Sequence, residues 1–373
     1  MTIQATDNDL TVHEGLDGVV VTRTRLSHVD GQHGRLIVAG FDVEDLVQGN
    51  DFESACAVLF SAAGEPSTRE QVAALLERGR ARAFASLSQL GDALSRADAM
   101  DALRAGIAHL PETAGREDII AAAAVYTAAH ARGRAGKPPL APPAGARHAE
   151  ALLAMLGLSA DPARARALDA YLVTVMDHGL NASTFAARVV ASTRSDLVSA
   201  LVAGVGALKG PLHGGAPGPV LEMLDAIGSS EQAAPYLTRE LEQGRRIMGM
   251  GHRIYRQRDP RAVVLERALE TLESELRSGA PADSLASARL TLARTVERAA
   301  EVLLEARYPG RNLRANVEFY TAVLLSALEL PSELFAAVFA CARSAGWAAH
   351  VMEQRAHGRL IRPSAQYVGA QPQ

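Results

Sequence analysis

Between Leu334 and Met352 the chain runs through apolar and small residues for about the thickness of a bilayer, and Arg343 is the one formal charge in that run. As a membrane span it would carry a guanidinium at mid-bilayer, an insertion penalty of about 2.5–3.5 kcal/mol. As a core helix the same run suits close packing, because its alanines and Gly346 let neighbouring helices approach. We read it as a buried helix of a soluble protein with no membrane partner. That reading leaves Arg343 to be explained. A guanidinium keeps its proton in proteins, and an unpaired buried charge costs several kcal/mol. Arg343 must therefore meet an internal carboxylate or the carboxylate of a bound substrate, and the residues alone leave both open.

The rest of the chain points to helices as well. Aromatic residues make up only 4% of the 373, and alanine is abundant after residue 50, a balance that favours packed helices over sheets. The fold class read here is all-α. The exception is the start, where Val19-Val-Val-Thr-Arg-Thr and Arg35-Leu-Ile-Val-Ala-Gly predict a small hairpin or ribbon. Leu168, Tyr171, Leu172, Val175 and Met176 line one face of a helix that ends near Asp177-His178-Gly179. Asn181, Ser183 and Thr184 then cap a new helix, so His178 belongs at a helix break. Lys137-Pro-Pro-Leu-Ala-Pro-Pro reads as a surface loop, and residues 262–305 as two amphipathic helices split near Gly279-Ala-Pro-Ala-Asp.

Several function classes are excluded or disfavoured. A net charge of −4 gives no field for a nucleic-acid partner. Lys137 and Lys209 are the only lysines, and neither precedes Ser or Thr, which removes a P-loop. Cys56 and Cys341 form no CxxC and suggest a reducing compartment, and the leaderless start Met1–Asp9 suggests a cytoplasmic protein. No GxSxG elbow or strand-flanked GxGxxG occurs. His13, His28 and His33 lack metal-ligand spacing and lie in polar segments, so no metal is expected there.

Three segments concentrate Gly, His, Arg and carboxylate where helix packing does not require them. Around His213, the sequence Gly210-Pro-Leu-His-Gly-Gly lets the backbone approach a ligand closely, although on spacing alone a Gly-rich turn with a capping histidine is the more common arrangement. His252, in Gly251-His-Arg-Ile-Tyr-Arg-Gln-Arg-Asp-Pro-Arg261, offers an imidazole among guanidiniums, or simply a solvated basic turn. Asn316-Val-Glu318 supplies a carboxylate.

Together these segments resemble the citrate synthase family. The resemblance extends over most of the chain: Gly15-Leu-Asp-Gly-Val-Val-Val, Asp177-His-Gly-Leu-Asn-Ala-Ser-Thr-Phe, Gly210-Pro-Leu-His-Gly-Gly-Ala, Gly251-His-Arg-Ile-Tyr with Asp259-Pro-Arg, Asn316-Val-Glu-Phe-Tyr, Ala342-Arg-Ser-Ala-Gly-Trp and Ile361-Arg-Pro-Ser-Ala-Gln-Tyr-Val-Gly. Seven such matches in the family's order are specific where any one would be weak.

The resemblance implies a two-domain helical fold with a small N-terminal β element. Residues 1–215 and 322–373 would form the large domain and 216–321 a small domain that closes over the substrate. It implies a homodimer with shared active sites, and an acyltransferase that joins acetyl-CoA to oxaloacetate with no further cofactor. His213 and Glu318 match the positions that enolise acetyl-CoA, and His252 the one that polarises the oxaloacetate ketone. His178, Arg261, Arg343 and Arg362 match carboxylate-binding positions, Arg362 arriving from the partner subunit. Arg256 and Arg311 fall near positions that meet CoA phosphates.

The sequence departs from the commonest family pattern in three places: Glu318 stands where Asp is usual, Ser364 ends the usual Arg-Pro-Arg, and Ala39-Gly40-Phe41 replaces Arg-Gly-Tyr. Two alternatives accompany the leading reading: a 2-methylcitrate synthase using propionyl-CoA, and a non-catalytic CoA- or dicarboxylate-binding member.

Overall fold

The computed structural model describes residues 12–370 except 17, 215–216, 253 and 278–284, together with residue 372. The segment Met1–Asp9, Gly215, Ala216, Arg253 and the predicted break at Gly279–Asp283 lie outside the described residues. Three short strands, β1 (Ser27–Asp30), β2 (Arg35–Val38) and β3 (Phe41–Asp42), form an antiparallel sheet in that order, with Ser27 opposite Val38 and Val38 opposite Phe41. Ala39 and Gly40 both take positive φ in the turn between β2 and β3, which a glycine makes easier. The sequence placed the first strand too early. Val19–Thr24 joins no ladder, because its valines find no face to bury: Val20 is 88% exposed. The backbone beyond it is held by a side chain instead, with Arg25 N–H donating to Glu353 Oε1 at 2.9 Å.

The remainder is helical. In order come α1 (Val43–Gly49), α2 (Phe52–Ala62), α3 (Arg69–Ala85), α4 (Ala99–Ala108), α5 (Arg116–Arg134), α6 (His148–Leu156), α7 (Pro162–Val175), α8 (Ala182–Ser192) and α9 (Leu197–Leu208). There follow α10 (Pro217–Ile227), α11 (Ala233–Glu242), α12 (Pro260–Arg277), α13 (Leu285–Arg307), α14 (Val317–Ala327) and α15 (Phe335–His357).

The boundaries that matter for the site have local causes. Helix α7 opens with Asp161, whose Oδ1 accepts the Ala163 and Arg164 N–H groups, followed by Pro162 at the first turn. It stops at Val175, and Gly179 takes a φ of 62° in the break before Asn181 caps α8 through the Ser183 and Thr184 N–H groups. His178 thus sits at a helix break, as its flanking residues predict. Helix α14 starts in the same way, with Asn316 Oδ1 accepting from Glu318 N–H at 3.0 Å.

The Leu334–Met352 run is the core helix α15, buried over almost its whole length against α5, α7, α8 and α9. Small residues make those contacts possible. A Cβ on Gly346 would overlap the Met176 carbonyl oxygen, and one on Gly204 of α9 would meet the Trp347 ring at 2.9 Å. Helices α10 to α14 pack mainly among themselves, and α12 also lies along α7 and α1.

Candidate active site

Two chain breaks and two helix starts converge beside α15. An antiparallel bridge between Met250 and Ala315 sets the His252 segment alongside the start of α14. Gly251 N–H donates to the Arg314 carbonyl (2.7 Å), Asn316 N–H to the Gly249 carbonyl (2.9 Å), and Asn316 Nδ2 to the Gly251 carbonyl (2.9 Å). Glycine is required here: Gly249 has φ 74°, and a Cβ on it would press on Phe319 at 2.9 Å.

Asp259 completes the junction. This buried carboxylate accepts from Arg261 N–H, Nε and Nη2 at 2.8–3.0 Å and from Val317 N–H at 3.1 Å, tying Arg261 to the helix that carries Glu318. Burial opposes the Arg261 charge, but Asp259 outweighs it and holds the guanidinium above its ordinary range.

Three rings come together beside this junction. The His178 and His252 centroids are 5.8 Å apart, and Tyr255 lies 4.7 Å from His252 and 5.7 Å from His178, with its hydroxyl 3.1 Å from His178 Nε2. His252 Nδ1 accepts from the Ile254 and Tyr255 N–H groups at 3.0 and 3.1 Å. That occupies the Nδ1 lone pair and leaves Nε2 for the proton of a neutral ring; Arg261 Nη2, 3.4 Å from Nε2, is itself only a donor and makes no hydrogen bond to that N–H. His178 is held well below the usual histidine range by burial first and then by Arg261 and Arg343, and so stays neutral at pH 7.

His213 receives matching treatment from α8. Its Nε2 accepts the Ser183 N–H at 3.2 Å and lies 2.8 Å from Ser183 Oγ. The ring is therefore neutral with its proton on Nδ1, and burial, helped by Arg343, pushes its pKa down to about 4. Ser183 Oγ is itself fixed: it gives its one proton to His213 Nε2, lies 2.8 Å from Asn181 Oδ1 and accepts from Trp347 Nε1 (3.1 Å).

Arg343 and Glu318 form no ion pair among the described residues, and desolvation disturbs both. Burial lifts the Glu318 carboxyl to about 7, Arg261 opposing and Asp259 adding to the shift. Arg343 is 2% exposed, stacks over Phe339 at 4.6 Å and donates Nε to the Val175 carbonyl at 2.8 Å. It forms no ion pair among the described residues. Burial lowers its pKa to about 10, with Arg261 adding to the drop and Asp177 opposing it, so it stays charged at neutral pH. Of the two destinations the sequence left open, the internal salt bridge is not the one adopted here.

His178, His213, His252, Arg261, Glu318 and Arg343 are thus gathered into one connected arrangement. The remaining candidates are not. Arg362 lies exposed in the segment after α15, Arg256 is exposed on the His252 loop, and Arg311 is exposed with its guanidinium 5.5 Å from the Tyr308 ring. Sequence reasoning gave Ser183 only a capping role, which Asn181 fills instead, and assigned none to Tyr255, Asp259 or Trp347. Each stands inside or beside a quoted motif, but a cap, a core aromatic and a helix-start acid look the same in sequence whether or not they orient a catalytic ring.

Residues 15–364 match the family profile described as citrate synthase, C-terminal domain. The chain belongs to the citrate synthase family. A Mycobacterium tuberculosis relative with the provisional name citrate synthase 2 is 38% identical over 96% of this chain and 93% of its own length. Citrate synthase of Deinococcus radiodurans is 34% identical over 97% of both chains. Among solved structures, Thermotoga maritima citrate synthase superposes with a TM-score of 0.81 at 31% identity, covering 97% of both chains. The Thermoplasma acidophilum citrate synthase, solved in ternary complex with carboxymethyl coenzyme A and oxaloacetate, gives 0.81 at 26% identity with the same coverage. Members of the citrate synthase family are acyltransferases, and this chain has the helical fold of that family.

Proposed function

We propose that this protein condenses acetyl-CoA with oxaloacetate and water, giving citrate and CoA. The observation that carries the proposal is the pairing of two neutral imidazoles, each with one nitrogen blocked by backbone N–H, with a half-buried carboxylate and a guanidinium that forms no ion pair among the described residues.

In this reading His178, Arg261 and Arg343 hold the two oxaloacetate carboxylates, and Arg362 completes the pocket from the second subunit of a homodimer. His252 directs its Nε2–H at the ketone oxygen. His213 directs its Nδ1–H at the thioester carbonyl, where negative charge develops as Glu318 removes a methyl proton. A carboxylate of ordinary pKa is a weak base for that proton, so the rise to about 7 matters: it brings Glu318 closer to the carbon acid without leaving it protonated above neutrality. The enolic carbon attacks the ketone carbon, and the new alkoxide takes the proton that His252 offers. Water then cleaves the citryl thioester and releases CoA as its thiol. Arg256 and Arg311, both exposed, are the proposed CoA phosphate contacts. Closure of a small domain, residues 216–321, over the large one would keep water out until the carbon–carbon bond exists.

Thiol release from acetyl-CoA and from propionyl-CoA, each with and without oxaloacetate, tests the reading. Oxaloacetate-dependent release that favours acetyl-CoA is expected. A preference for propionyl-CoA would make the protein a 2-methylcitrate synthase, and binding without release would make it a non-catalytic member. Mixing inactive Arg362→Leu with inactive His213→Ala subunits should restore part of the activity, and no recovery after proven exchange would overturn the shared site.

A further inference from the structure

The N-terminal ribbon contributes no residue to the chemistry above, yet it touches both histidine loops. Ser27, the first residue of β1, accepts the Gly179 N–H on its Oγ at 2.9 Å, one residue beyond His178. Gly31, in the turn after β1, accepts the Arg256 N–H on its carbonyl at 2.8 Å, within the His252 loop. The approach at Gly31 leaves no room for a side chain: a Cβ there would overlap the Ile254 carbonyl oxygen and lie 2.8 Å from Ile254 Cγ2. Gly34 at the end of the same turn sits against Gln257, with a virtual Cβ 3.0 Å from that residue's own.

The ribbon is stiff enough to act as a strut. Four residue pairs lock β1 to β2, and Leu36 and Val38 of β2 are buried in the core. The turn is closed by Asp30, which accepts from His33 N–H at 3.1 Å and pairs with His33 Nδ1 at 2.8 Å. Ser27 also bears on the acid beside His178. Burial pushes the Asp177 carboxyl up, but His350 and the Ser27 hydroxyl together hold it below its ordinary range.

We infer that Ser27 and Gly31 are positioning residues that set the spacing between the His178 and His252 loops, and hence the width of the ketone-substrate pocket. The inference rests on the oxaloacetate reading of that pocket. A shift of 1 Å in such a site costs up to about 10²-fold in rate, so two contacts that fix loop spacing have leverage out of proportion to their number.

The test uses Ser27→Ala, Ser27→Thr and Gly31→Ala, with Val20→Ala as a control in the exposed segment before β1. Ser27→Ala and Gly31→Ala should each raise the oxaloacetate KM about tenfold with a smaller fall in kcat, and Ser27→Thr, which keeps the hydroxyl, should stay near wild type. The side-chain resonances of His178 and His252, labelled with ¹³C and assigned by mutation, should move in Ser27→Ala and Gly31→Ala and stay put in Val20→Ala. A lowered melting temperature with wild-type KM and unmoved histidine resonances would overturn the inference and leave the ribbon a stabilising element only. Should Gly31→Ala fail to fold, the contrast between Ser27→Ala and Ser27→Thr decides. If the wild-type protein releases no thiol with oxaloacetate, the functional reading fails separately, and the ring resonances still decide whether the ribbon spaces the loops.

Discussion

Arg188 and Arg343 are buried to almost the same degree in the same helix layer, but their surroundings could hardly differ more. Arg188, on α8, donates to Glu353 Oε2 and His350 Nδ1 at 2.8 Å and to Gln354 Oε1 and Thr22 Oγ1 at 3.1 Å. Arg343, on α15, has one backbone carbonyl and the face of Phe339. The first cation is matched from within the protein, so it contributes to the join between α8, α15 and the N-terminal segment. The second is buried at a cost that Asp177 offsets only in part, which is why the proposed function gives it a substrate carboxylate. Depth of burial says nothing about the role. The partners do.

That contrast can be broken most directly by removing each cation in turn. Arg343→Leu should lower kcat/KM for oxaloacetate by about 10³-fold, or about 4 kcal/mol, while the melting temperature holds or rises because a poorly compensated charge has gone. Unchanged kinetics would show that Arg343 is structural after all. Arg188→Leu should do the reverse, costing about 3–5 kcal/mol in urea unfolding by stranding Glu353, with kinetics much less affected. A stable Arg188→Leu protein would erase the distinction.

The two regions should also answer pH with opposite signs. Glu353, opposed by burial but held by Arg25 N–H and Arg188, is depressed below its ordinary range, so its stabilisation is present above the unfolded value and is lost as pH falls through the folded one. Glu318 is raised to about 7, so the folded state favours its protonated form, and stability is given up as pH climbs from the ordinary glutamate value towards 7. Two measurements follow. The wild-type kcat/KM should fall about tenfold per pH unit below about 7, because the free base must be ionised. Glu318→Gln should be almost inactive but more stable than wild type at pH 8, by about 1–3 kcal/mol. A flat pH profile between 5 and 8 would remove Glu318 from the role of base.

The smallest effect expected comes from the link between the two regions, where Ser183 joins His213 to Trp347 and α15. Ser183→Ala keeps the backbone N–H that fixes the His213 tautomer, so kcat should fall only about fivefold. A loss as large as that of Arg343→Leu would mean that the hydroxyl, and not the backbone, orients the ring.

Much of this was legible in the sequence. The break at His178, the cap Asn181 and the core helix around Arg343 follow from spacing and side-chain chemistry that act over a few residues, whereas the cap Asn316 was not read from the sequence. The first strand was misplaced because Val19–Val21 look like strand residues, and only the absence of a face to bury them shows otherwise. Ser183, Tyr255 and Asp259 escaped because their partners lie far off in the chain: 30 residues separate Ser183 from His213, 77 separate His178 from Tyr255, and 58 separate Asp259 from Val317.

By itself, then, the sequence determined that the chain is largely helical, where the helix before His178 stops and which side chains are chemically unusual, since capping, periodicity and the cost of burying a guanidinium are local matters. Whether Arg343 found a carboxylate, which nitrogen of His213 and His252 keeps its proton, and how far Glu318 is lifted were settled only in three dimensions. Each depends on groups brought together from distant parts of the chain, and hydrogen bonds and desolvation act through space with no regard for sequence order.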